Sequence, residues 1–178
     1  DTEPSDMSFA LSTPTFEWGS RSLDAVFASP GSKTSPAFLK MLADIVRFNW
    51  LAPEVLQNRD AWHDSTLGVY LSSRGFSAEF AQQYVVPMTA AIWSCSDEEA
   101  LAFPVVPLVA FWSNHHLLSL VKRPTWRVVK GRSRAYVEKA VAAIVEGGGH
   151  VRCGAAVASV RRLPRGGVAV RRKNKLLE

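Results

Sequence analysis

The stretch from Pro104 to Leu120 constrains this chain most, because its apolar residues run almost all the way round a helix. Val105, Leu108, Val109, Phe111, Trp112, Leu117 and Leu118 leave no wide polar stripe, so protein must cover the helix on most sides. It is too short, and at Ser113 to His116 too polar, to span a bilayer. The rest of the chain therefore has to supply a surrounding helical layer. At 178 residues, 47% of them hydrophobic, it is long enough to bury roughly 70% of its unfolded surface.

The helices for that layer can be placed from their caps. Ser35-Pro36 opens one, since the serine oxygen can accept from free backbone N–H groups and proline has none to lose at the first helical position. Phe38, Leu39, Leu42, Ile45 and Val46 give Pro36 to Asn49 one apolar face. Ser65 to Ser73 reads as a short helix stopped by Gly75, and Ser77 starts another through Phe80, Tyr84 and Val85 that Pro87 must kink or stop. Ser96-Asp97-Glu98-Glu99 has the capping-box form. His115 and His116 should end the buried helix, where donors meet free carbonyl groups.

Both flanks carry strand patterns. Met7, Phe9 and Leu11 alternate with small polar positions, Pro14 ends that run, and Phe16-Glu17-Trp18 pairs back through the turn, with Gly19 closing a hairpin. Arg21 to Ser35 has loop composition. After Pro124 the texture changes: Trp126 to Val129 reads as a strand, Ser133 to Glu146 as a helix, and Gly147-Gly148-Gly149 as its stop. His150 to Cys153, Ala156 to Arg162 and Val168 to Arg172 follow as strands. The expected class is α+β or α/β, with a helical part over 1–123 and a strand-helix-hairpin part over 124–178. Both ends read as interior to a longer polypeptide.

Charge is unevenly spread. Of a net +5, the acids gather before Leu120 and the bases after it. These bases lie on separate elements, with neither an aromatic-rich strand nor a recognition-helix motif, which argues against nucleic acid; contact with a membrane surface stays open. The opening residues are acidic rather than a basic leader, so a soluble intracellular chain is expected. Cys95 and Cys153 form no CxxC and read as reduced thiols.

Motifs for self-contained chemistry are missing. There is no GxGxxG and no Walker A, and the triple glycine follows a helix where a phosphate loop would precede one. Gly131-Arg132-Ser133-Arg134-Ala135 sits between a strand and a helix as a nucleophile elbow does, yet it lacks the second glycine, and no downstream aspartate completes a triad. Ser133 is better read as a helix N-cap. The four histidines make no metal-ligand spacing, so no metal is expected. Of six tryptophans, most should be core and a minority could line an apolar pocket.

Taken together, Ser5-Asp6-Met7-Ser8-Phe9 with Glu17-Trp18, then Phe80 to Ser94 as FAQQYVVPMTAAIWS, Leu101-Ala102-Phe103-Pro104, and Arg123-Pro124-Thr125-Trp126 with Gly131-Arg132-Ser133-Arg134-Ala135-Tyr136, resemble the flavin-containing amine-oxidase-like proteins. The closer likeness is to the branch associated with cyclopropane-fatty-acid synthases. The resemblance implies an FAD-dependent oxidoreductase with a helical substrate domain and an incomplete Rossmann-like FAD domain, in which a hydride passes from an amine or an apolar, lipid-like substrate to the flavin. It implies cofactor contacts at Gly131, Ser133 and the backbone of Val157, and partners in the remaining segments of the same polypeptide. Arg132 departs from the family pattern, which has a second glycine there. No catalytic base can be named. The competing expectation is a non-enzymatic helical binding module with a basic face for a membrane surface or nucleic acid.

Overall fold

Residues 1–5, 8–14, 16–119 and 124–173 are described in the computed structural model of the chain. The fold is mixed α+β and divides into two compact units, Ser5–Trp126 and Asp1–Pro4 with Arg127–Glu178. The division falls after Trp126 rather than at Arg123, and the first four residues leave the helical part.

The larger unit opens with the anticipated hairpin, in which β2 (Ala10–Ser12) pairs antiparallel with β3 (Glu17–Gly19) and Leu11 faces Trp18. Gly19 is the last strand residue instead of the residue beyond it; Met7 lies outside the described residues. The Arg21 to Ser35 segment is more ordered than its composition predicts. It holds α1 (Leu23–Val26), capped by the Ser22 side chain accepting from the Ala25 amide, and a 3-10 turn at Ser32–Thr34. Local serine caps supply partners that composition alone does not weigh.

Helix α2 (Pro36–Leu51) starts as expected, with the Ser35 side chain accepting from the Phe38 amide. Its buried stripe, however, is Phe38, Met41, Asp44, Ile45 and Phe48, whereas Leu39 is 44% and Val46 54% exposed. Both sets have helical spacing, so periodicity could not choose between them. The choice is made by α6 (Ala78–Phe80), which α2 packs against, and by Asp44. The Asp44 carboxylate is 2% exposed and accepts from the Ser77 amide at 2.9 Å and the Ser77 hydroxyl at 2.6 Å, while Arg47 lies 3.2 Å and Lys40 3.7 Å away. Burial pushes the Asp44 carboxyl up, but the two Ser77 bonds, then Lys40 and Arg47, outweigh it and hold the pKa below the ordinary carboxylate value.

Two short helices that the sequence pattern did not reveal, α3 (Pro53–Gln57) and α4 (Arg59–Trp62), lead to α5 (Leu67–Ser73), whose N-cap is Thr66 rather than Ser65. The Ser65 and Phe103 carbonyls accept from the Val105 and Leu67 amides, at 3.0 and 2.8 Å, which ties the starts of two helices together. Pro87 neither stops nor breaks the next segment. Helix α6 passes into a π turn at Ala81–Val85 and continues as α7 (Val86–Trp93), with Pro87 in its first turn. The Gln83 carbonyl, whose ordinary i+4 donor would be the missing N–H of Pro87, accepts instead from Trp18 Nε1 at 3.1 Å.

The capping box before α8 (Asp97–Ala102) is present in both halves: the Glu99 amide donates to Ser96 Oγ at 3.2 Å and the Ser96 amide to Glu99 Oε2 at 2.9 Å. Helix α9 (Val105–Asn114) buries Val105, Leu108, Val109 and Trp112 and ends at His115, so Leu117 and Leu118 lie past it. Of the six tryptophans, Trp18 and Trp112 are buried, Trp62 and Trp93 pack partly buried against the same core, and Trp50 is 80% exposed.

In the smaller unit β1 (Thr2–Pro4) pairs antiparallel with β4 (Arg127–Val129), a pairing between sequence-distant segments. Helix α10 (Arg132–Glu146) is capped by Gly131, not Ser133, because Gly131 at φ 82° turns the chain into the helix and Ser133 is already inside its first turn. β5 (Val157–Arg162) and β6 (Val168–Arg172) form a hairpin; His150 to Cys153 is not a strand. No residue of α10, β5 or β6 is buried, and among the described residues the apolar core lies in the other unit.

Candidate functional site

The larger unit contains a cavity of about 580 Å³, within the range of roughly 300–1,000 Å³ typical of small-molecule sites. Four segments far apart in sequence build it. Met88, Ala91 and Ile92 fall on one face of α7, spaced i, i+3 and i+4. The end of α9 gives Phe111, His115, His116 and Leu117. Ser5, Ser8 and Phe9 before the hairpin, with Pro124, Thr125 and Trp126, complete the lining. The Ser5 amide donates to the Trp126 carbonyl at 2.7 Å, which joins the last two segments.

The α9 terminus sets the geometry of the polar wall. His116 takes φ 55°, and the Leu117 amide reaches back to the Trp112 carbonyl at 2.8 Å, the left-handed closure that glycine usually supplies. This reversal leaves the His115 ring between two aromatic faces. It stacks on Phe111 with centroids 4.1 Å apart and on Trp126 at 5.7 Å with an interplanar angle of 4°. Trp93 lies 4.9 Å from Phe111 and extends the cluster. Among the described lining residues no side chain carries a permanent charge; their side-chain polar groups are the Ser5, Ser8 and Thr125 hydroxyls, the two imidazoles and the Trp126 indole N–H.

Two further unpartnered polar atoms belong to the core. Tyr70 is fully buried, and burial, then the Glu54 carboxylate, pushes its phenol up to about 12. Its hydroxyl and the Trp112 indole N–H have no hydrogen-bond partner. Arg74 pairs with Glu54 and lies over the Trp62 ring at 5.4 Å.

The residues expected to meet FAD all lie in the smaller unit. Gly131 and Ser133 are exposed at the start of α10. A Cβ on Gly131 would come 3.1 Å from the Ala135 Cβ, so what a side chain there would meet is the chain's own helix. Arg132, where the family pattern has glycine, takes φ 60°. Val157 is 55% exposed at the start of β5, opposite Arg172, with a register shift before Ser159. A depression of about 280 Å³ beside this turn is bounded by Lys130, Tyr136 and Lys139, with Asp1 among its walls. These residues by themselves enclose neither a purine nor a diphosphate.

The His115 stack was not legible from the sequence, where both histidines read as helix-end donors. A signal was nevertheless present: three of the segments that carry the family likeness contribute to the cavity, through Ser5, Ser8 and Phe9, through Met88, Ala91 and Ile92 of PMTAAIWS, and through Pro124, Thr125 and Trp126. The chain matches no protein-family model and no curated protein.

Proposed function

We propose that the Ser5–Trp126 unit forms the substrate wall of an FAD-dependent oxidoreductase of the amine-oxidase type, acting on a C–H bond of an amine or an apolar, lipid-like substrate. What carries this reading is the convergence at one apolar cavity of distant segments whose sequences resemble that family. Bound FAD would supply the redox chemistry by accepting a hydride. The chain's own residues would exclude water and orient the substrate: Met88, Ile92, Phe111 and Leu117 present apolar surface, and the hydroxyls and imidazoles hold one polar end. The smaller unit would be the return to an incomplete Rossmann-like FAD domain. Since Gly131, Ser133 and Val157 enclose no cofactor on their own, the reading assigns the anion cradle to other segments of the same polypeptide.

The test is the visible spectrum of the complete gene product after gentle purification. Flavin absorption that bleaches on anaerobic addition of substrate is expected. A colourless protein with no extractable flavin overturns the reading.

A second reading, a binding module for an anionic membrane surface, has one observation in its favour. The uncovered β5–β6 hairpin carries Arg161, Arg162, Arg165, Arg171 and Arg172, and no carboxylate occurs between Gly147 and Lys173. Salt-sensitive sedimentation with phosphatidylserine vesicles, by a protein free of flavin, would favour it over the first.

A further inference from the structure

Building on the reading of this cavity as a substrate wall, we infer that it takes a neutral apolar molecule with one uncharged polar end, such as an alcohol or carbonyl, and discriminates against a protonated amine. A buried ammonium needs a carboxylate or a set of strong acceptors to replace its water, because an unpaired charge in an apolar site is far costlier than an unpaired hydroxyl. The described lining offers no such carboxylate. Aromatic faces can substitute by cation–π attraction when several stand open around a cation. Here His115 covers one face of Phe111 and one face of Trp126, and Trp93 packs on Phe111 as well, which leaves fewer open faces than a cage around a cation needs. What stays available matches a hydroxyl or carbonyl group, since the Ser8 and Thr125 hydroxyls and an imidazole each both donate and accept. Sites built on such neutral donors bind a matched polar group and leave a charge incompletely solvated.

The discriminating experiment uses the full chain at pH 8, where a simple alkylamine is protonated. The uncharged dye N-phenyl-1-naphthylamine is bound and then displaced by decanol, decylamine or decanoate, each below its micellar concentration. Decanol is expected to displace at least about tenfold better than decylamine, about 1.4 kcal/mol, and better than decanoate. A carboxylate placed in the wall by Ala91→Asp, at an exposed position of α7, should narrow the decanol–decylamine gap by about tenfold. Asp6→Asn, altering an acid that lies next to Ser5 in sequence but outside the described residues, should leave the preference unchanged. Decylamine or decanoate displacing as well as decanol, or dye that does not bind at all, overturns the inference. Flavin-replete protein that prefers decylamine would sink this inference alone, whereas flavin-free protein that still prefers decanol would sink only the oxidoreductase reading.

Discussion

Replacing Asp44 by alanine or asparagine tests how the larger unit is fastened. The carboxylate is buried and takes two bonds from Ser77, at 2.9 and 2.6 Å, fixing α2 to the start of α6. Alanine leaves the buried Ser77 amide without that acceptor and Arg47 without its carboxylate, the situation that costs about 3–5 kcal/mol when one partner of a buried pair is removed. Arg47 and Lys40 are 36% and 56% exposed at the side chain, so solvent screening makes the Ser77 bonds the larger share. Asparagine keeps the shape and one carbonyl acceptor but loses the charge assistance, worth about 1.5–3 kcal/mol. Because the folded carboxyl titrates below its unfolded value of about 3.9, its stabilisation is fully present above that pH and is lost as pH falls through the lower folded value. Urea melts followed by tryptophan fluorescence at pH 7, repeated down to pH 3, read both effects. The wild type should lose more stability over the acid range than Asp44→Asn does. If Asp44→Ala costs under 0.5 kcal/mol, roughly the level of a neutral surface change, or if the two acid profiles coincide, the fastening argument is refuted.

Three further outcomes follow from the same structure. Trp18→Phe keeps an aromatic ring in the core but removes the donor to the Gln83 carbonyl beside Pro87, so it should cost about 1 kcal/mol in chemical denaturation. Arg132→Gly relieves a left-handed non-glycine residue and should slow hydrogen exchange of the α10 amides, by an amount corresponding to about 0.5–1 kcal/mol. Phe48→Ala, at a ring that touches Tyr70, Phe76, Phe80 and Trp112, should cost about 3–5 kcal/mol, while Val160→Ala, at a position 62% exposed, should stay within about 0.5 kcal/mol in the same urea melts.

The contrast between Phe48 and Val160 bears on function as well as stability. Among the described residues, all the fully buried apolar side chains belong to the unit that holds the cavity, so its walls stand on a packed scaffold. The smaller unit leaves Val157, Val160, Val168 and Val170 between 55% and 62% exposed on a hairpin rich in arginine. Such a surface would gain from a covering partner, which agrees with the proposal that other segments complete the cofactor side.

What the sequence settled by itself were features whose partners lie within a few residues. The Ser35 cap, the Ser96–Glu99 box, the stop at Gly147 and the hairpin closed around Thr13 each satisfy backbone groups locally, so the residue types alone specify them. The almost fully apolar helix before His115 was legible for the same reason: its composition demands cover whatever supplies it. Tertiary structure decided everything that depended on a distant partner. It chose Met41, Asp44 and Phe48 over Leu39 and Val46 as the buried stripe of α2, because Ser77 and the α6 segment stand on that side. It carried the helix past Pro87 by a π turn, with Trp18 supplying a donor to Gln83 from another element. It drew Thr2–Pro4 onto β4, and it brought Phe9, Met88, His115 and Trp126 round one cavity. Propensities and periods describe what a segment can satisfy alone, and these choices were fixed by groups it could satisfy only with a partner many residues away.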